Sequence, residues 1–165
     1  MKEWTGIEIE RARQGLEQAS ATVLGRMLFE YSRLDMNLGL MLVWTNQGLQ
    51  LETMTEQVSK PHFSFGEKLQ LLAKLAREKY KANAEALDAH ERWLDEANVI
   101  RELRNVLVHG RWGIEATKNQ VVNVVGIPTG EQKESRYTIA ELKMLLQRMQ
   151  DLGQRLGKLR NQWPV

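Results

Sequence analysis

Arg104-Asn105-Val106-Leu107-Val108-His109-Gly110 divides the chain into two kinds of sequence. Before it, apolar residues recur at helical spacings. After it come two β-prone runs, Arg111-Trp112-Gly113-Ile114 and Gln120-Val121-Val122-Asn123-Val124-Val125, separated by Lys118-Asn119 and bounded by Gly126 and Pro128. The stretch therefore reads as the end of a long helix, with Gly110 as a left-handed C-terminal cap, followed by a β-hairpin. A third short strand over Ser135 to Tyr137 follows the Thr129-Gly130 turn.

Working back from this point, the helix that ends at His109 starts near Asn83 and spaces Trp93, Ile100, Leu103 and Leu107 for the core. The helix before it opens near Phe65 with a capping box, Ser64 and Glu67, and carries an apolar stripe of Leu69, Leu72, Leu75 and Ala76. Its Lys68, Lys74, Arg77, Lys79 and Lys81 read either as a solvated face or as a surface that tracks phosphates. The first helix spans about Ile7 to Trp44, with Leu24, Leu28, Tyr31, Leu38 and Leu42 as its apolar stripe. Gly25 and Gly39 within it suggest close helix packing or a bend. Asp35 falls on the same stripe, either at its edge or placed to orient a base. Thr45 to Phe63 is a connection with one short helical turn, and its His62, next to Pro61, is expected to be exposed.

Forward of the hairpin, Thr138 and Glu141 form a second capping box. The helix it opens carries Leu142, Leu145, Met149, Leu152, Leu156, Leu159 and Trp163 in heptad register, a seam against a long partner helix within the bundle or across a dimer. The expected fold is mainly α: a four-helix up-and-down bundle in a single domain over residues 1–165, with a small β-hairpin, about 111–137, inserted between helices three and four.

Composition narrows the function classes. At 165 residues, 42% apolar and 27% charged, the chain is long enough for one core and ordinary for a globular protein. With no cysteine, neither disulfides nor a thiolate site is possible. The three histidines are scattered, no metal-ligand spacing is present, and no cofactor is expected. Met1 to Glu10 holds acidic residues and no apolar run, and Leu38 to Trp44 is far too short to span a bilayer, so a cytoplasmic, non-membrane protein is expected. The net charge of +2 permits a nucleic-acid partner without requiring one.

On a helical wheel, Ile100, Leu103 and Leu107 form the core stripe, Arg101, Asn105 and His109 gather opposite, and Arg104 lies on the flank. Val108 is apolar on that polar side, which calls for a cover from a partner subunit, the hairpin or the loop before the second helix. Histidine exchanges protons near neutral pH and arginine holds phosphate oxygens, so His109 and Arg104 suit phosphate chemistry, with Asn105 to fix the imidazole or bind substrate. A histidine in a last helical turn also serves simply to cap carbonyls. Arg104 and His109 are about 140° apart, and using both requires a cleft that wraps the exposed side.

Arg104-Asn105-Val106-Leu107-Val108-His109 resembles the arginine-to-histidine motif of the HEPN superfamily, placed at a helix end. The likeness continues in Phe29-Glu30-Tyr31-Ser32-Arg33-Leu34-Asp35 and Ser64-Phe65-Gly66-Glu67-Lys68-Leu69, and together these cover roughly Leu24 to Trp112. The resemblance implies a helical homodimer in which two motifs face one cleft, and metal-independent RNA cleavage through the 2'-hydroxyl, as in toxin-antitoxin or phage-defence proteins. Arg104 and His109 are then the catalytic pair and Asn105 a supporting residue; RNA, and a protein antitoxin or regulatory partner, are the expected partners. Inactive relatives of this kind are protein- or nucleotide-binding modules, which is the alternative function. Two departures stand out. Arg111 occupies the position where some toxin members have a modifiable tyrosine, and the hairpin lies outside the minimal bundle, where Arg111, Lys118 and Arg136 either extend an RNA surface or are merely solvated.

Overall fold

In the computed structural model, which describes residues 4–44 and 63–165, four helices and three strands follow one another as α1 (Gly6–Trp44), α2 (Phe65–Lys79), α3 (Ala84–His109), β1 (Arg111–Glu115), β2 (Gln120–Val125), β3 (Lys133–Tyr137) and α4 (Ile139–Gln162). The fold is mainly α, with a small antiparallel sheet of order β1-β2-β3 between the third and fourth helices. The connection expected over Thr45 to Phe63, with His62, lies outside the described residues except for Phe63. Among the described residues, no helix is long and apolar enough to cross a membrane.

The helix starts follow local chemistry. Ser64 Oγ accepts from the Glu67 amide at 3.3 Å while the Glu67 carboxylate accepts from the Ser64 amide at 2.6 Å. Thr138 and Glu141 repeat the exchange at 3.2 and 2.7 Å, and both carboxyls are held below their ordinary range by the amides they accept from. Thr5 and Glu8 form a third such box at the start of α1, which the apolar pattern alone does not reveal. Asn83 caps α3 by accepting from the Ala86 amide at 3.1 Å.

The chain resolves into two compact units, one of Met1–Phe29 with Leu103–Arg148, the other of Glu30–Glu102 with Met149–Val165. In the first, Leu16, Val23 and Met27 of α1, Leu107 of α3, Val121 of β2 and Leu142 and Leu146 of α4 are buried. In the second, the buried set includes Leu34, Leu38 and Leu42, then Leu69, Leu72, Trp93, Ile100, Met149, Leu152 and Leu156. The Trp93 indole donates to the Leu152 carbonyl at 3.1 Å, so even the largest core side chain satisfies its polar atom.

Several expectations change. The buried face of α1 runs through Val23 and Met27 rather than Leu24 and Leu28; Leu28 is 48% exposed. Helix α1 has apolar residues on two adjacent lines one residue apart, and the elements packed against it select one. Gly25 marks no close packing, because a Cβ there would meet open space. On the seam of α4, Leu142, Met149, Leu152, Leu156 and Leu159 are buried within one chain, but Leu145 is only half-buried and its neighbour Leu146 takes the buried place. Lys68 does not belong to a solvated basic face: it is 7% exposed and its ammonium lies 2.7 Å from the Asp35 carboxylate, which places Asp35 at the edge of the stripe as an ion-pair partner.

The sheet has one more strand than a hairpin. Trp112 pairs with Asn123, and Asn123 with Ser135, in continuous antiparallel register. A 3-10 turn over Ala116–Lys118 and Asn119 in the left-handed region connect β1 to β2. The third strand starts at Lys133, two residues before the expected Ser135, because Val124 and Val125 extend the ladder that far.

Candidate functional site

The last turn of α3 ends in carbonyls that need partners. Gly110 donates to the Val106 carbonyl at 2.9 Å, and the Trp112 indole Nε1 donates to the Leu107 carbonyl at 2.9 Å. Trp112 reaches back because β1 begins one residue after Gly110, and its ring is seated against Tyr137 of β3 with centroids 6.0 Å apart. The tryptophan, three positions past the last helical residue, is therefore what closes the helix end.

Gly110 is not in the left-handed conformation expected of it; among the described glycines only Gly126 has a positive φ. Its lack of a side chain serves a different purpose. A Cβ on residue 110 would collide with the amide of Asn123, which is completely buried on β2. Neither Asn123 Nδ2 nor Oδ1 has a hydrogen-bond partner, so a desolvated amide is pressed against the backbone at the end of the motif helix. The polar residue in Val121-Val122-Asn123-Val124-Val125 falls on the inward positions shared with Val121, and that alternation is the sequence signal for it.

His109 is exposed, and its imidazole makes no hydrogen bond or ion pair among the described residues. Capping of the helix carbonyls is thus carried out by Trp112 and Gly110, and the histidine that the dipole would favour there is left to solvent. Arg104 is half-buried, and its Nη1 donates to the Asn105 Oδ1 at 3.2 Å. Asn105 therefore orients the arginine, not the histidine. Because α3 is unbroken from Ala84 to His109, Arg104 and His109 are about 140° apart and about 7.5 Å along the axis, as the wheel requires.

Three of the sheet region's cations have neighbours as partners. Arg136 pairs with Glu115 at 3.0 Å and with Glu134 at 2.9 Å, Lys118 pairs with Glu115 at 3.2 Å, and Arg111 donates to the Gly126 carbonyl at 3.3 Å. Hydrogen bonds from Arg136 and then Lys118 hold the Glu115 carboxyl below its ordinary range. These side chains brace the sheet and stay exposed to solvent. Beside them, a cleft of about 430 Å³ opens between α1 and the sheet, lined by Ser20, Leu24, Trp112, Ile114 and Val121.

Among the described residues no group of three or more histidine, aspartate or glutamate side chains is placed to hold a metal ion. Compared with protein-family models, with curated proteins and with solved structures, the chain matches none.

Proposed function

We propose that the protein is a HEPN-like endoribonuclease that works as a homodimer without a metal ion. The observation that carries this is the His109 imidazole, which is exposed at the helix end and relieved of capping by Trp112. An imidazole with no partner among the described residues is available for proton transfer.

In the paired cleft, His109 of one copy takes the proton of the ribose 2'-hydroxyl, and the freed oxygen attacks the adjacent phosphorus. The bond from phosphorus to the 5'-oxygen breaks, and His109 of the second copy protonates that leaving oxygen. Arg104, aimed by Asn105, holds the non-bridging oxygens as charge builds on the phosphorane. The products are a 2',3'-cyclic phosphate and a 5'-hydroxyl. The apolar cleft beside Trp112 offers a flanking base a surface to rest on.

Purified protein is expected to cut single-stranded RNA in EDTA, leaving cyclic phosphate ends, and His109→Ala is expected to abolish this. Cleavage that persists in the variant overturns the assignment.

A second reading, a non-catalytic helical dimer that binds a protein or nucleotide, is favoured by the exposed apolar line on α1. Phe29, Met36 and Leu40 are 69%, 57% and 39% exposed and share one side of the helix. That reading predicts no cleavage and a protein or nucleotide that co-purifies.

A further inference from the structure

Within the second unit, α2 and α3 are joined by the turn over residues 80–83 and flank a cleft of about 400 Å³. At one end Arg101 lies directly on the backbone of the first turn of α2: a Cβ added to Gly66 would come within 2.5 Å of the Arg101 Nη1. The glycine is what lets the guanidinium in. Arg101 Nε is buried without a hydrogen-bond partner, and among the described residues no carboxylate pairs with this side chain.

That arrangement is electrostatically incomplete. The first-turn amides of a helix carry partial positive charge, and a guanidinium beside them adds to it. Glu67, the acid that would offset both, is turned back onto the Ser64 amide at 2.6 Å and is used up in the capping box. A half-buried cation without a carboxylate partner is completed by a counter-charge, and a guanidinium fork with adjacent helix amides is the donor set that carboxylates and phosphates prefer. Asn98 and Gln70 line the cleft next along, with Leu69 and Leu94 as apolar wall. Asp95 is six residues from Arg101, about 9 Å along the helix, and with Glu91 and Arg77 it lines the rest of the cleft, where both signs of charge meet.

We propose that this cleft binds a small organic anion, a carboxylate or phosphate monoester carried on an apolar body, with its oxyanion on the cleft side of the Arg101 guanidinium, beside the first turn of α2. The site shares no residue with Arg104, Asn105 and His109, so it stands apart from the ribonuclease proposal.

Titration of the full chain with phenyl phosphate, benzoate and, as a neutral control, benzyl alcohol tests this, followed by NMR at the Gly66 amide and the Arg101 Nε–H. Saturable shifts at both positions are expected with at least one of the two anions and not with benzyl alcohol; which anion saturates first identifies the headgroup. Arg101→Met is expected to weaken binding about tenfold or more. Gly66→Ala, which pushes the guanidinium aside, is expected to weaken it as well and serves if the first variant does not fold. Absence of saturation below about 10 mM, shifts equal to those of benzyl alcohol, or unchanged affinity in a folded variant overturns the proposal.

Discussion

The indole Nε1 of Trp112 donates to the Leu107 carbonyl at 2.9 Å, so the first strand of the sheet closes the helix that precedes it. Replacing Trp112 with Phe keeps a ring against Tyr137 but orphans the carbonyl. An unfolding free energy lower by about 1–2 kcal/mol is expected from urea denaturation. If His109 turns back to cap, the loss will be smaller and the imidazole NMR signals of His109 will move, which would show that the tryptophan is what frees it; unmoved signals would show that it is dispensable for that.

Lys68 and Asp35 are unequal partners. The lysine is 7% exposed, whereas the Asp35 side chain is 36% exposed. Asp35→Ala leaves a buried ammonium without its carboxylate and is expected to destabilise by about 2–3 kcal/mol. Lys68→Met keeps the packed stem and removes the charge, for a cost of about 1 kcal/mol or less. Denaturation midpoints that fall in the reverse order would mean the ion pair does not govern this part of the core.

How far the sequence foretold these features depends on whether the controlling interaction is local. Capping boxes at Ser64 and Thr138 and the end of α3 at His109 are set by residues within a turn or two of each other, and they are where the local sequence puts them; on α4 the heptad pattern holds at Leu142, Met149, Leu152, Leu156 and Leu159 but misses Leu146, buried in place of Leu145. The choice between Leu28 and Met27 for the core of α1 is made by other elements, so the helix pattern could not decide it. The same holds at the site. Arg104, Asn105 and His109 are adjacent in sequence and visible there, but the Trp112 cap and the Asn123 amide against Gly110 depend on a strand register that fixes them from outside the helix. Gly110 was readable as a special residue for the wrong reason: the chain needs the space, not the backbone angle.

His90 is 1% exposed, stacked near Tyr80, and held by its Nδ1 to the Ala86 carbonyl at 2.7 Å. Burial pushes its imidazole below the ordinary value of 6.5, against the opposing pull of the Ala86 and Trp163 carbonyls. The unfolded chain therefore takes up this proton first as pH falls. The contribution of neutral His90 is fully present above the unfolded value and is lost as pH drops through 6.5 toward the folded value. Thermal unfolding is expected to show a lower Tm at about pH 5 than at pH 7 in the parent chain, with most of that difference missing from His90→Gln. The depressed carboxyls of Glu67 and Glu141 act in a separate window, below their ordinary 4.5. Equal pH dependence in both proteins would remove His90 as the cause.

Val108 stays 41% exposed in the last turn of α3, next to His109, and a second copy is the cover that the paired-histidine mechanism needs. Val108→Asp places a carboxylate on that surface, which a folded single chain tolerates within about 0.5 kcal/mol because the position is open to solvent. A dimer docked there would have to desolvate the charge and is expected to weaken by about tenfold to a hundredfold. Sedimentation and RNA cleavage measured over the same concentration series should then fall together, since in the proposed mechanism each cleft draws one His109 from each copy. A variant that sediments as a monomer and still cuts at the parent rate would separate docking from chemistry, and a mechanism confined to one Arg104 and one His109 would have to replace the shared cleft.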